Sequence, residues 1–207
     1  MPERNRVTPW GEIVAIDQRG LFMGNRGCVH RDRQIVRQWQ VRRWITCLLE
    51  YKGWVAPRWV PGRWTPLFFW DEAVALAAGH RPCALCRRAD FSAWLDGWRS
   101  AFGERPKVDA IDRRLHGDRR DGRVQRRHTR AWSDLPLGAF VVIDEPGRGG
   151  TALPALALED RLVPWSAKGY GSPVDRPGRG DATVLTPQAS IEVLSHGYRP
   201  AIHPSAS

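Results

Sequence analysis

With 207 residues, of which 42% are hydrophobic and eleven are tryptophan, the chain can build one domain or two small ones and is excluded from disorder over most of its length. No apolar run approaches the roughly 18 residues that cross a bilayer, and the opening Met1–Glu12 lacks the apolar core of a signal peptide, so the expected setting is cytoplasmic, with no membrane partner. The formal charge of +10 rests on 32 basic residues, only Lys52, Lys107 and Lys168 being lysine; such arginine excess suits phosphate, although GC-rich coding raises Arg, Ala, Gly and Pro together in the same way.

Four cysteines in a reducing compartment point to metal ligation or free thiols over a disulfide framework. The first strand-like run is Ile13-Val14-Ala15-Ile16. In the next, Gly20 to His30, Asn25 and Gly27 permit a sharp turn before Cys28 and His30, which share a face if the segment is extended. The β-branched and aromatic run from Ile35 to Tyr51 predicts a strand pair. Its 43–51 portion can return beside 21–30 and bring Cys47 towards Cys28 and His30.

Between Arg26 and Arg63, nine basic residues face two acidic ones, and Trp39, Trp44, Trp54, Trp59 and Trp64 are interleaved with them. That mixture grips phosphates and stacks on unpaired bases, with Arg26, Arg37, Arg42, Arg43, Arg58 and Arg63 as the contacts. The same tryptophans serve equally well as cover for a strand pair.

The run Pro66-Leu67-Phe68-Phe69-Trp70 predicts a short buried strand, Asp71 an N-cap, Ala73 to Ala78 a helix of about two turns, and Gly79 its left-handed end. A loop, His80-Arg81-Pro82-Cys83-Ala84-Leu85-Cys86, then presents two thiols at a spacing that lets both reach one ion. The segment resembles the second half of the Ada-type zinc domain, the metal module of a bacterial DNA alkylation-repair protein, and a small zinc module found beside nucleases. In those, a strand, a helix ending Ala-Ala-Gly and an aromatic-Arg-Pro-Cys-x-x-Cys loop follow in this order, and here His80 stands for the aromatic residue. The resemblance covers roughly 22–87 and is closest over 67–86. It implies a zinc ion, with His30 about where the first ligand falls; the second falls on Gln34, a poor ligand. A closed structural site then needs Cys83, Cys86 and two of Cys28, His30 and Cys47, with His80 as an outside candidate.

Phe91, Trp94, Leu95, Trp98 and Phe102 predict an amphipathic helix over 87–102, stopped by Gly103. Residues 104–133 carry ten basic side chains, Arg120, Arg126 and Arg127 among the candidate phosphate contacts, and Asp109, Asp112 and His116 at one helix face with His128 in a following loop. Those four are the candidates for a hydrolytic or divalent-ion site, against a solvated, salt-bridged helix. Short strands at 138–143, 157–158, 161–165 and 182–185, a helix capped by Thr186 and an arginine loop at 171–181 make the last part β-rich.

The expected fold is therefore α+β: a zinc-stabilised strand-pair and helix module with its following helix (1–103), a basic connector (104–133) and a small β-rich unit (134–207). The expected function is zinc binding together with nucleic-acid binding, DNA favoured, linked to DNA repair or processing. The alternatives are a zinc enzyme on nucleic acid, as alkyl acceptor or hydrolase, and a non-catalytic regulatory protein.

Overall fold

In the computed structural model, which describes residues 1–122, 124–144 and 150–206, the chain is a mixed α+β protein with two main sheets and four helices among those residues. The first sheet has the order Arg81–Pro82, Ile45–Cys47, Phe22–Asn25, Leu67–Phe69, Arg6–Val7, Ile13–Val14. Two of its pairings are parallel, Arg81–Pro82 with Ile45–Thr46 and Arg6–Val7 with Phe68–Phe69, and the other three are antiparallel. Period-2 alternation divides its faces. Phe22, Leu67 and Phe69 enter the main core, whereas Met23 and Phe68 turn to the opposite side and pack with Cys47 and Cys83.

The second sheet is antiparallel, with His128–Ala131, Asp181–Val184, Phe140–Asp144, Ala152–Ala157, Arg161–Ser166 and Gly169–Tyr170 in order, and Val174–Asp175 also pairing with Arg161–Leu162. Helix α1 (Glu72–Ala77) is buried at every position. Its Ala73, Val74, Ala75 and Ala77 share one cluster with Val7, Leu67 and Phe69 from the first sheet and Phe140, Leu156 and Val163 from the second. Alanine allows this, because a short side chain on each side of the helix lets two sheets close on it without a void. Asp71 caps it as the sequence predicts, its carboxylate accepting from the Val74 N–H at 2.9 Å, and Gly79 follows at φ 87°.

Helices α2 (Arg88–Phe102), α3 (Val108–Arg119) and α4 (Gln188–Ser195) pack around Trp94, Trp98, Ile111, Leu115 and Val193, so the predicted aromatic stripe of α2 is core. No helix among the described residues is long and apolar enough to cross a membrane.

Several local expectations change. Residues 36–44 form no strand; the predicted pair reduces to Gln34–Ile35 against His30–Arg31 and Ile45–Cys47 against Met23–Asn25. His128 lies in a strand, not a loop. Thr186 does not cap α4: its hydroxyl accepts the Phe140 N–H at 2.9 Å, and the Asp118 carboxylate takes the Ala189 N–H at 3.0 Å instead. Asp118 reaches that position because α3 packs on α4, a contact no local pattern encodes. The drawn boundaries also have no matching break in packing, since the main core joins Val7 to Ala206 and the connector's residues 128–131 form an edge strand of the second sheet.

Candidate metal centre and arginine surface

Cys47, Cys83 and Cys86 place their sulfur atoms within 4.8 Å of one another, close enough to hold a metal ion, and no other such group of His, Cys, Asp and Glu occurs among the described residues. Strand register brings them together. The parallel pairing of Arg81 with Ile45 and Pro82 with Thr46 continues one residue further, where the Cys83 N–H donates to the Thr46 carbonyl at 2.9 Å and sets Cys83 beside Cys47. The chain then turns and returns Cys86 to the same point. The Leu85 N–H donates to the Cys83 sulfur at 3.4 Å, as expected where a thiolate is to be stabilised.

Two buried ion pairs clamp the loop. Before it, Arg81 pairs with Asp112 of α3; after it, Arg87 pairs with Glu72 of α1 at 2.8 Å and its guanidinium lies 4.3 Å from the centre of the Phe22 ring. Glu72 is held further by the Tyr198 hydroxyl at 2.6 Å and the Ala201 N–H at 3.0 Å. The cysteine loop is thus fixed to three elements, α3, α1 and the Phe22–Asn25 strand.

The three thiols divide their protons unequally. Hydrogen bonding from Cys47 is the largest influence lowering Cys83, to about 5, helped by the Cys86 and Leu85 N–H groups, and it lowers Cys86 as well. Cys47 is pushed up by its hydrogen bonds to Cys83 and Cys86, by burial and by their charge. One proton is therefore easily lost and the last is held, because adjacent negative sulfurs repel unless a cation lies between them. A soft or borderline divalent cation fits that donor set.

The remaining ligand candidates lie elsewhere. Cys28 is half-buried, its sulfur 3.7 Å from the His30 carbonyl and its N–H on the Gln40 amide oxygen at 2.7 Å. His30 is buried, with Nδ1 2.6 Å from the Thr65 hydroxyl and its ring edge-on to Trp59. His80 is enclosed between Trp44 and Phe69 and accepts from Arg26 Nε at 3.3 Å. Burial, then the charges of Arg26 and Arg119, hold its pKa well below the usual histidine value, so it stays neutral. Of the sequence candidates, Cys47 alone joins Cys83 and Cys86.

The hydrolytic candidates do not converge. Asp109 is exposed, whereas Asp112 is buried against Arg81. His116 packs its ring on Trp39 at 4.5 Å and has its pKa lowered to about 4 by burial and neighbouring arginines. His128 bonds the Thr186 carbonyl at 2.9 Å.

The arginines divide as well. Arg37, Arg42, Arg43, Arg58, Arg63, Arg126 and Arg127 are exposed and Arg120 is half-buried. Arg26 is fully buried and cannot reach nucleic acid: its guanidinium stacks on Trp44 at 4.0 Å, where sequence placed it in a surface ribbon. Arg58 pairs with Glu3 at 2.8 Å. Arg176 of the 171–181 loop turns inward to the carbonyls of Trp132, Leu135 and Leu158. Arg123, counted in the basic connector, lies outside the described residues.

No family model, curated protein or solved structure matches the chain.

Proposed function

We propose that the chain is a zinc-thiolate protein that binds nucleic acid, DNA favoured, and that its N-terminal half is a variant of the Ada-type zinc module. The observation that carries the reading is the three-sulfur cluster at the Cys-x-x-Cys loop. An all-sulfur set selects zinc over hard cations such as Mg²⁺ or Ca²⁺, and a reducing cytoplasm keeps the thiols available. Cys47 belongs to the strand Ile45–Cys47, and Cys86 lies two residues before α2, so a bound ion joins the first sheet to that helix. A structural role requires a fourth protein or partner donor to close the tetrahedron, because three sulfurs alone leave one position open. The exposed Arg37, Arg42, Arg43, Arg63, Arg126 and Arg127 supply phosphate contacts, each weakened by salt through counterion return.

The test is binding of single- and double-stranded oligonucleotides at several salt concentrations, with and without prior chelation. The reading expects about one zinc per chain, affinity falling steeply with salt, and loss of folded protein on metal removal. Undetectable binding at low salt overturns the nucleic-acid half. Metal-free protein that melts like the purified form overturns the structural zinc.

A second reading, the alkyl acceptor, is favoured by one observation: Cys86 is the most exposed of the three cysteines. With Cys47 and Cys83 a zinc ion would hold Cys86 as thiolate, and that sulfur would attack the alkyl carbon of a DNA phosphotriester, forming an S–C bond as the ester C–O bond breaks and the phosphodiester leaves, a gain of about 14 Da per methyl in intact mass. Unchanged mass after incubation with alkylated DNA leaves the binding protein alone.

A further inference from the structure

Arg26 and Arg119 are both buried, both stack on Trp44, at 4.0 and 3.8 Å, and neither forms an ion pair among the described residues. Arg26 Nη1 donates to the Gly11 carbonyl at 2.8 Å, and its Nη2 has no partner. Arg119 Nη1 donates to the Gly79 carbonyl at 2.7 Å, and its Nε has none. The nearby carboxylate, Asp112, is taken by both prongs of Arg81. Buried guanidiniums without a counter-charge are costly, and a cluster of them attracts an anion.

Arg26 backs onto a cleft that neither it nor Arg119 lines. Gly11, against which Arg26 is held, lines a cavity of about 300 Å³ together with Gln38, Arg120 and Arg127. Arg120 is half-buried there, and its Nε has no partner. Arg127 is positioned by the Trp10 ring, 4.8 Å away. Gln125 fixes the walls, its amide donating to the Pro9 and Ala77 carbonyls at 2.9 and 3.0 Å, so the opening is preformed. Glu12 on the rim is exposed and makes no ion pair among the described residues.

We propose that this cleft binds a phosphate group, held directly by Arg120 and Arg127, with Arg26 and Arg119 supplying positive charge from behind. The proposal deepens the nucleic-acid reading and rests on it only for the source of the phosphate, a strand backbone as against free phosphate or a nucleotide. Repulsion by Arg120, after burial, is a cause of the lowered Arg26 pKa, about 9, and an anion in the cleft removes it.

The experiment is isothermal titration of the intact chain with inorganic phosphate, at constant ionic strength, for the wild type, Arg120→Gln, Arg127→Gln and the control Arg58→Gln. Both cleft variants change exposed or half-exposed side chains, and circular dichroism confirms that each is folded. We expect saturable phosphate binding, about tenfold weaker in each cleft variant and unchanged in Arg58→Gln. Absence of phosphate binding in the wild type, or equal weakening in all three variants, overturns the cleft. A parallel titration with a single-stranded oligonucleotide separates the two readings. If phosphate binds and the oligonucleotide does not, the cleft stands for a small phosphate compound and the nucleic-acid reading falls. If the oligonucleotide binds and Arg120→Gln weakens it no more than Arg58→Gln, the cleft falls and the nucleic-acid reading stands.

Discussion

Arg81 and Asp112 meet as a two-pronged ion pair in the protein interior, Nε to Oδ1 at 2.8 Å and Nη2 to Oδ2 at 2.9 Å. It joins the strand that delivers Cys83 to the middle of α3, across 31 residues of sequence, and so couples metal-loop geometry to helix packing.

Removing one partner leaves the other charge buried. Asp112→Ala is expected to destabilise the fold by about 3–5 kcal/mol, read by urea denaturation. The double variant Arg81→Met with Asp112→Leu should recover most of that loss, because an apolar pair of similar size has no charge to desolvate. A loss under 1 kcal/mol in the single variant would show that the pair is not buried in solution.

The cysteines should separate sharply in a metal assay. Cys47→Ser, Cys83→Ser and Cys86→Ser are each expected to lose bound zinc or bind it at least about tenfold more weakly, whereas Cys28→Ser and His30→Asn retain it. Metal analysis beside melting curves checks this, and retention by Cys47→Ser would place the ion elsewhere.

Gly79 has a second role beyond ending α1. A Cβ built on it meets the Arg119 side chain at 2.4 Å, and its φ of 87° already disfavours an L side chain. Gly79→Ala therefore strains the backbone and displaces Arg119 together; about 2–4 kcal/mol of destabilisation follows. Full stability in that variant would contradict the placement of Arg119.

His80 and His116 both have folded pKa values below the usual 6.5, His116 near 4, through burial and neighbouring arginines. The unfolded chain thus binds more protons below about pH 6.5. Their contribution to stability is complete above that pH and is lost as pH falls from there towards the folded values. His116→Gln should make the acid limb of the stability profile shallower than in the wild type, at matched metal content. An unchanged slope would mean that His116 titrates alike in both states.

By itself the sequence determined the α1 turn and its flanks: Leu67–Phe69 as strand, Asp71 as cap, Gly79 as stop and α2 from the spacing of Phe91, Trp94 and Trp98. These are local effects, carried by residues within a few positions of one another. It also marked Cys83 and Cys86, whose spacing is short enough to read directly. What only the tertiary structure decided was the third sulfur. Cys47 was one of three candidates because antiparallel pairing with 21–30 was legible, but its partner came from the other edge, through a parallel register with Arg81–Pro82 that no local pattern specifies. The same holds for Arg26 and Asp112. A charged letter in an arginine-rich run reads as surface, and only the arrival of Trp44 beside one and Arg81 beside the other makes each a buried group. Their roles depend on contacts across long stretches of chain, and burial of a charge is fixed by the partner that tertiary packing brings to it.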